Sequence, residues 1–306
     1  MPINKVDIDK LTQHELVFSF LVAGDQLPSG LVAQVKALFE GELVGLSARD
    51  LCPGKSIKFV VMHEADYDRV VVFERLKQFA RAHDLAYAIL PDMADVPEFK
   101  FAIMDMDSTL INEEVIEELA SYAGVREHVA EVTRLAMEGK LDFHQALRER
   151  VKLLAGQPAS ILQAVYEKHI TPTPGLEEMI AGFKAMGIKT CVVSGGFISV
   201  VQPFAEKVGL DHAVANTLGV ESGLLTGEVV GEIIDSDVKE RTLLELCRRY
   251  RCEPTQAIAI GDGANDLKMI NASGLGIAFC AKRIVQEKSL CAINRRRLDD
   301  VLLFLQ

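Results

Sequence analysis

No apolar run in this 306-residue chain approaches the ~18 residues needed to span a bilayer. The opening stretch, MPINKVDIDKLTQ, lacks the apolar centre of a signal peptide, so a soluble cytoplasmic protein is expected. Basic residues are in deficit. Thirty-three Lys and Arg stand against 44 Asp and Glu, for a net charge of −11. That balance excludes the broad basic footprint that nucleic acid or an anionic membrane requires, although cations and backbone N–H groups could still converge locally on an anion. Six cysteines are scattered at 52, 191, 247, 252, 280 and 291, without a CxxC pair or a nearby histidine cluster. A zinc site or a disulfide framework is therefore disfavoured, and the cysteines within apolar runs read as small hydrophobes. There is no internal repeat and no low-complexity segment. What is present is 49% apolar and 25% charged residues, the balance of a globular chain, at a length that suggests two domains.

Residues 15 to 90 read as one unit. ELVFSFLVAG, KSIKFVVMHE and LAYAIL have strand character, with ELVGLSARDL as a further strand. SGLVAQVKALFEG and YDRVVVFERLKQFARAHD have helical apolar spacing. The order approximates βαββαβ, a ferredoxin-like α+β arrangement. PDMADVPEFK, with two prolines and several acids, reads as a linker. From Phe99 the pattern changes. FAIMD, IKTCVVS, QAIAIGD and GLGIAF read as strands alternating with helices, which implies a parallel sheet covered on both faces. The helix ISVVQPFAEKVG is expected to be interrupted at Pro203, and residues 213 to 234 suggest a hairpin. Residues 112 to 170 are wholly helical in pattern and read as an inserted cap. The expected division is a first domain over 1–92 and a second over 98–306, with core segments 98–111 and 172–306 around a cap at 112–171. The basic run NRRRL at 294–298 reads as a solvated helix start.

In open α/β sheets the functional groups gather beyond the carboxyl ends of the strands. Three apolar strands here end in polar clusters: Asp105, Asp107 and Thr109; Ser194, Gly195 and Gly196; Asp262, Asn265 and Asp266. Lys239 opens a helix between the last two. If the chain stays extended past Asp105, then Asp105 and Asp107 point to the same side. With Asp262 they would set three acids close together, a conflict that a hard divalent cation with oxygen ligands removes. Ser194, the two glycines and Lys239 suit a phosphate.

DMDST, VVSGG, Lys239 and GDGAND together resemble, in order, the four motifs of the haloacid dehalogenase superfamily of phosphohydrolases. The resemblance implies a Rossmann-like parallel sheet and Mg²⁺ held by Asp105, the backbone carbonyl of Asp107 and Asp262, with Asp266 nearby. It makes Asp105 the nucleophile that becomes an aspartyl-phosphate, and Asp107 the acid and then the base. The cap sharpens the match: INEE, DFHQALRERV and GDGANDLKMI are similar to the phosphoserine phosphatases. That family implies Glu114 for the substrate ammonium, Arg150 for its carboxylate, and Met137 and Phe143 as apolar closers. Ser194, Gly195, Lys239, Asn265 and Thr109 then serve phosphate and substrate. The activity implied is hydrolysis of O-phospho-L-serine to serine and phosphate, the last step of serine biosynthesis. The alternatives are a phosphotransferase passing phosphate to homoserine, or a phosphatase for another small monoester such as phosphoethanolamine. The first domain resembles ACT-type amino-acid-binding domains through the turn in GDQLPSGLVAQV. An amino-acid effector and a homodimer interface are both open for it.

Overall fold

The computed structural model describes residues 15–39, 43–64, 68–91 and 97–305. The chain begins with β1 (Glu15–Ala23), α1 (Leu31–Ala37), β2 (Leu43–Cys52), β3 (Ser56–Glu64), α2 (Arg69–Ala82) and β4 (Ala86–Pro91). This is the βαββαβ order read from the sequence. Asp68 caps α2 by accepting Val70 N–H at 2.9 Å, as a short oxygen side chain does before the first turn. The second part opens with β5 (Phe101–Met104), followed by four helices: α3 (Val115–Tyr122), α4 (Arg126–Met137), α5 (Phe143–Lys152) and α6 (Ser160–His169). Then come α7 (Leu176–Ala185), β6 (Lys189–Phe197), α8 (Ile198–Val208) and the hairpin β7 (His212–Glu221) and β8 (Leu224–Val230). The chain ends with α9 (Ser236–Arg249), β9 (Ala257–Gly261), α10 (Leu267–Ala272), β10 (Leu275–Phe279), α11 (Arg283–Lys288) and β11 (Cys291–Ile293).

The eleven strands of the described residues form one sheet, in the order β2-β3-β1-β4-β11-β10-β9-β5-β6-β7-β8. Strands β11, β10, β9, β5, β6 and β7 pair in parallel. Strand β5 is buried at every position, as a parallel strand covered on both faces must be. It lies between β9 and β6, where the strand order reverses, the place at which such sheets open a crevice.

The joint between the two parts falls outside the sequence reading. Strand β11, only three residues long, pairs antiparallel with β4 through Cys291 with Ala88 and Ala292 with Tyr87. Ile89 N–H donates to Leu290 O at 2.8 Å, and Lys77 Nζ reaches Glu287 O at 3.1 Å. The NRRRL run also differs from a plain solvated start. Arg295 is largely buried and pairs with Asp25 at 2.8 Å and Asp300 at 3.2 Å, because it sits where the first part meets the second. The expected break at Pro203 does not occur either. Helix α8 runs through it, and Tyr166 Oη donates to the Pro203 carbonyl at 3.2 Å. Among the described residues no helix is long and apolar enough to cross a membrane.

Gly274 fixes the spacing between the starts of β9 and β10. Its N–H donates to Pro254 O and Ala257 O at 2.9 and 3.0 Å, and an added Cβ would lie 1.9 Å from the Thr255 carbonyl oxygen. Backbone cannot rotate aside as a side chain can. Gly274→Ala should therefore cost about 2 kcal/mol, seen as a lower urea midpoint at unchanged slope.

Candidate active site

Strand β5 ends at Met104, and the expected extended continuation does not hold. Residues 106–110 wind into one wide turn, closed by Ile111 N–H on Met106 O at 3.1 Å. Asp105 is extended and its Oδ1 accepts Met106 N–H at 2.8 Å. Ser108 takes a left-handed conformation, φ +57°, which a non-glycine residue adopts at a cost and which recurs at functional sites. Its hydroxyl donates to Glu114 Oε1 at 2.9 Å. Asp105 and Asp107 thus reach the same cavity by way of a turn and not by strand alternation.

Strand β6 supplies the second wall. Its pairing with β7 shifts register between Ser194 and Phe197, so Gly195 and Gly196 form a bulge, the device by which a strand re-aims its groups. Ser194 Oγ accepts Gly196 N–H at 2.8 Å. Asn216, which no motif singles out, holds the bulge by donating Nδ2–H to Gly195 O at 2.8 Å. The loop after β9 supplies Asp262, Gly263, Asn265 and Asp266. Helix α9 is capped by Asp235, whose Oδ1 accepts Asp237 and Val238 N–H at 2.9 and 3.0 Å. That cap sets the first turn and so delivers Lys239.

Lys239 is fully buried and bridges two carboxylates, Asp105 at 2.7 Å and Asp266 at 2.6 Å. Asp266 is also fully buried, and its second oxygen accepts Gly263 N–H at 2.9 Å. Carboxylate oxygens of Asp105, Asp262 and Asp266 all lie within 4.8 Å of one another. One lysine among three buried acids leaves negative charge in excess, and the acids respond. Burial, then repulsion from Asp266, pushes Asp105 up to about 8. The same two causes push Asp262 up to about 6. Burial and the Glu114 carboxylate hold Asp107 well above the usual range, and its Oδ1 is buried without a partner. Burial opposes the charge on Lys239, but Asp105 and Asp266 outweigh it and keep the ammonium protonated. An all-oxygen acidic set short of positive charge fits a hard divalent cation such as Mg²⁺.

The cavity, about 230 Å³, is lined by Asp105, Asp107, Glu114, Phe143, Arg150, Gly195, Asp262 and Asn265 from the sequence-selected set. Lys239, Asp266, Ser194 and Thr109 stand behind this lining, all buried, and Thr109 Oγ1 has no partner. The Met137 side chain falls outside the described residues. Arg150 projects from α5 with Nε donating to Ala146 O at 3.2 Å. Burial lowers its pKa, partly offset by Glu114 and Asp107. Gly196, read with Gly195 as suited to a phosphate, lines the same wall, and sequence reasoning missed Phe197 and Lys282 there. Lys282 was within reach, since it follows the end of β10 and its N–H donates to Asp262 O at 3.1 Å.

Residues 99–274 match the model of the haloacid dehalogenase-like hydrolases. The chain belongs to that family. It is 48% identical over 206 residues to a phosphoserine phosphatase of Streptomyces coelicolor, covering 67% of this chain but only 50% of that protein. It is 44% identical over 207 residues to a phosphoserine phosphatase of Methanocaldococcus jannaschii, covering 68% of this chain and 98% of that one. A solved haloacid dehalogenase family hydrolase from Salmonella enterica serovar Typhi superposes with a TM-score of 0.78 at 28% identity, over 95% of this chain and 98% of that one.

The acid cluster makes a pH-dependent stability prediction for the metal-free protein. Asp105 holds its proton more tightly folded than unfolded, so its ionisation costs stability as pH rises from about 4, where the unfolded carboxyl titrates, to about 8. Asp105→Asn should raise the Tm of chelator-treated protein at pH 8 and do so less at pH 5. An equal shift at both values would count against the strained carboxylate.

Proposed function

We propose that this enzyme hydrolyses O-phospho-L-serine to L-serine and phosphate through an aspartyl-phosphate, with Mg²⁺ as its cofactor. The observation that carries the reading is the single cavity in which a buried Asp105, ion-paired to Lys239 at 2.7 Å, shares the wall with Glu114 and Arg150. Those last two are the anion and planar cation that an ammonium and a carboxylate require side by side. The substrate assignment also draws on the relatives' names.

Asp105 and Asp262 would hold Mg²⁺ together with the backbone carbonyl of Asp107, with Asp266 close behind. Bound there, the ion neutralises the carboxylates and stabilises charge on the phosphoryl oxygens. The protein's own steps are these. Arg150 grips the serine carboxylate and Glu114 faces the ammonium, while Phe143 closes over the carbon. Gly195 N–H, Ser194, Thr109, Asn265 and Lys239 serve the phosphate. An Asp105 oxygen attacks phosphorus, and the bond to the serine oxygen breaks as Asp107 gives that oxygen its proton. A carboxyl held well above the usual range carries a proton to give near neutrality. Asp107, now ionised, takes a proton from water as the water oxygen attacks phosphorus and Asp105 leaves. Splitting one displacement into two is the gain of the covalent route.

We also read residues 1–92 as an ACT-like domain and 98–306 as the phosphatase domain, with its cap at 112–171. The M. jannaschii relative is covered almost whole by 68% of this chain, which supports treating the first part as an addition with a regulatory or dimerising role.

Asp105→Asn should lower phosphate release from phosphoserine by at least roughly a thousandfold, with unfolding midpoints showing a folded protein. Substantial turnover would refute the nucleophile. Chelation of Mg²⁺ should stop turnover, with no rescue by Ca²⁺, a larger ion of looser geometry.

Arg150→Ala should raise the KM for phosphoserine about tenfold or more, the worth of a charge-assisted bidentate contact, and that for phosphoethanolamine much less. Equal increases would remove the carboxylate assignment. Supplying homoserine and analysing products separates hydrolysis from transfer.

A further inference from the structure

The Asp235 carboxylate serves two helices at once. One oxygen caps α9, four residues before Lys239. The other lies 2.8 Å from Nε2 of His144, and since an ionised carboxylate only accepts, Nε2–H is the donor. His144 sits in the first turn of α5, next to Phe143 and six residues before Arg150. The far end of this cap segment is tied to the β8 hairpin. Gly156 N–H donates to Leu225 O and Leu225 N–H to Gln157 O, both at 2.8 Å, and Ala159 N–H donates to Gly223 O at 2.9 Å. Among the described residues, His144 with Asp235 is the polar tie at the end that overhangs the cavity. There Phe143 approaches the glycine bulge closely enough that a Cβ on Gly195 would lie 3.4 Å from its ring.

We propose that His144 is a positioning residue, and that its hydrogen bond to Asp235 is the latch that closes the leading end of α5 over the cavity. The latch sets Phe143 and Arg150 in register with the helix that carries Lys239. Two features make it a latch and not a rivet. The side chains are 43% and 23% exposed, so the bond breaks at small cost when substrate enters or leaves. The tie at the other end is made of backbone hydrogen bonds and acts as the hinge side. Because the same carboxylate anchors both the cap helix and the lysine helix, closing the cap and fixing the phosphate-facing end of the site are one event.

The test uses the full chain, with His144→Ala, Asp235→Ser and the double variant. Serine keeps a capping oxygen for α9 but offers no second oxygen to His144. Amide hydrogen exchange across 145–151 should quicken about fivefold in each single variant and no further in the double. His144→Gln, which retains an N–H donor, should restore most of the protection. Exchange at the wild-type rate in the singles, or multiplied effects in the double, overturns the latch. The kinetic arm rests on the phosphoserine reading: KM for phosphoserine should rise about fivefold in His144→Ala, with kcat falling less than KM rises, and an unchanged KM counts against the positioning role. Failure of the unmodified chain to turn over phosphoserine would sink the substrate reading instead, and the exchange data would still decide the latch.

Discussion

The structure depends on one buried ammonium. Lys239, with no exposed surface, sits between Asp105 and Asp266 at 2.7 and 2.6 Å. Taking three charges out of water is costly, and a buried ion cluster is weak evidence of stability in itself. Removing the lysine would leave the buried carboxylates with no counter-charge in a poorly polarisable interior. The rest of the core exists in part to enforce the arrangement: the fully buried β5 presents Asp105, the cap on α9 presents Lys239, and the loop after β9 presents Asp266 with its second oxygen already engaged by Gly263. Each partner comes from a different element, so only the assembled sheet can bring them together. The residual negative charge is not an error of assembly. It is the electrostatic demand that a divalent cation would meet.

The turn at 105–110 links that cluster to the helices that follow β5. Ser108, held in the left-handed region, donates its hydroxyl to Glu114. Glu114 in turn lies at the entry to α3, the first helix of the cap. The turn that follows Asp105 is therefore hydrogen-bonded to the acid that faces the same cavity from the start of α3. Glu113, next to it, pairs with Thr171 at the cap's return to the core, its Oε2 accepting Thr171 N–H at 2.9 Å. Both ends of the cap insertion are thus drawn together beside Asp105. Strain at Ser108 is affordable because the surrounding bonds over-determine it.

Much of the site was legible because parallel strands announce themselves as apolar runs and their polar ends mark the crevice. Asp105, Asp107, Asp262 and Asn265 were readable on that basis alone, and Glu114 and Arg150 only through the likeness of the cap to known relatives. What stayed hidden has a physical reason in each case. Strand β11 is three residues long, too short for a period to show. Asn216 acts through a register shift that no local pattern encodes. Asp105 and Asp107 converge through a turn whose left-handed residue is a serine, where glycine or asparagine would have been the usual signal. Pro203 carries helix-breaking chemistry, yet packing around α8 overrides it.

The joining of β4 to β11 belongs to the same class of hidden feature, and it changes what the first part of the chain does. The family match spans residues 99–274 and ends before β11 at 291–293. Strand β11 is completely buried, and without β4 it would present an unpaired, apolar edge, the feature that natural sheets avoid. The first part therefore supplies an edge cover. The joint is reinforced by Arg295 with Asp25 and by Lys77 with the Glu287 carbonyl. One continuous sheet then runs from the first part through β11 and β10, and the segment after β10 places Lys282 in the cavity wall. Three strands separate β4 from β5 in that sheet, so the path from the first part to the site passes entirely through paired backbone. The two parts are thus joined through paired backbone, whereas the leading end of α5 is tied to α9 by a part-exposed side-chain bond.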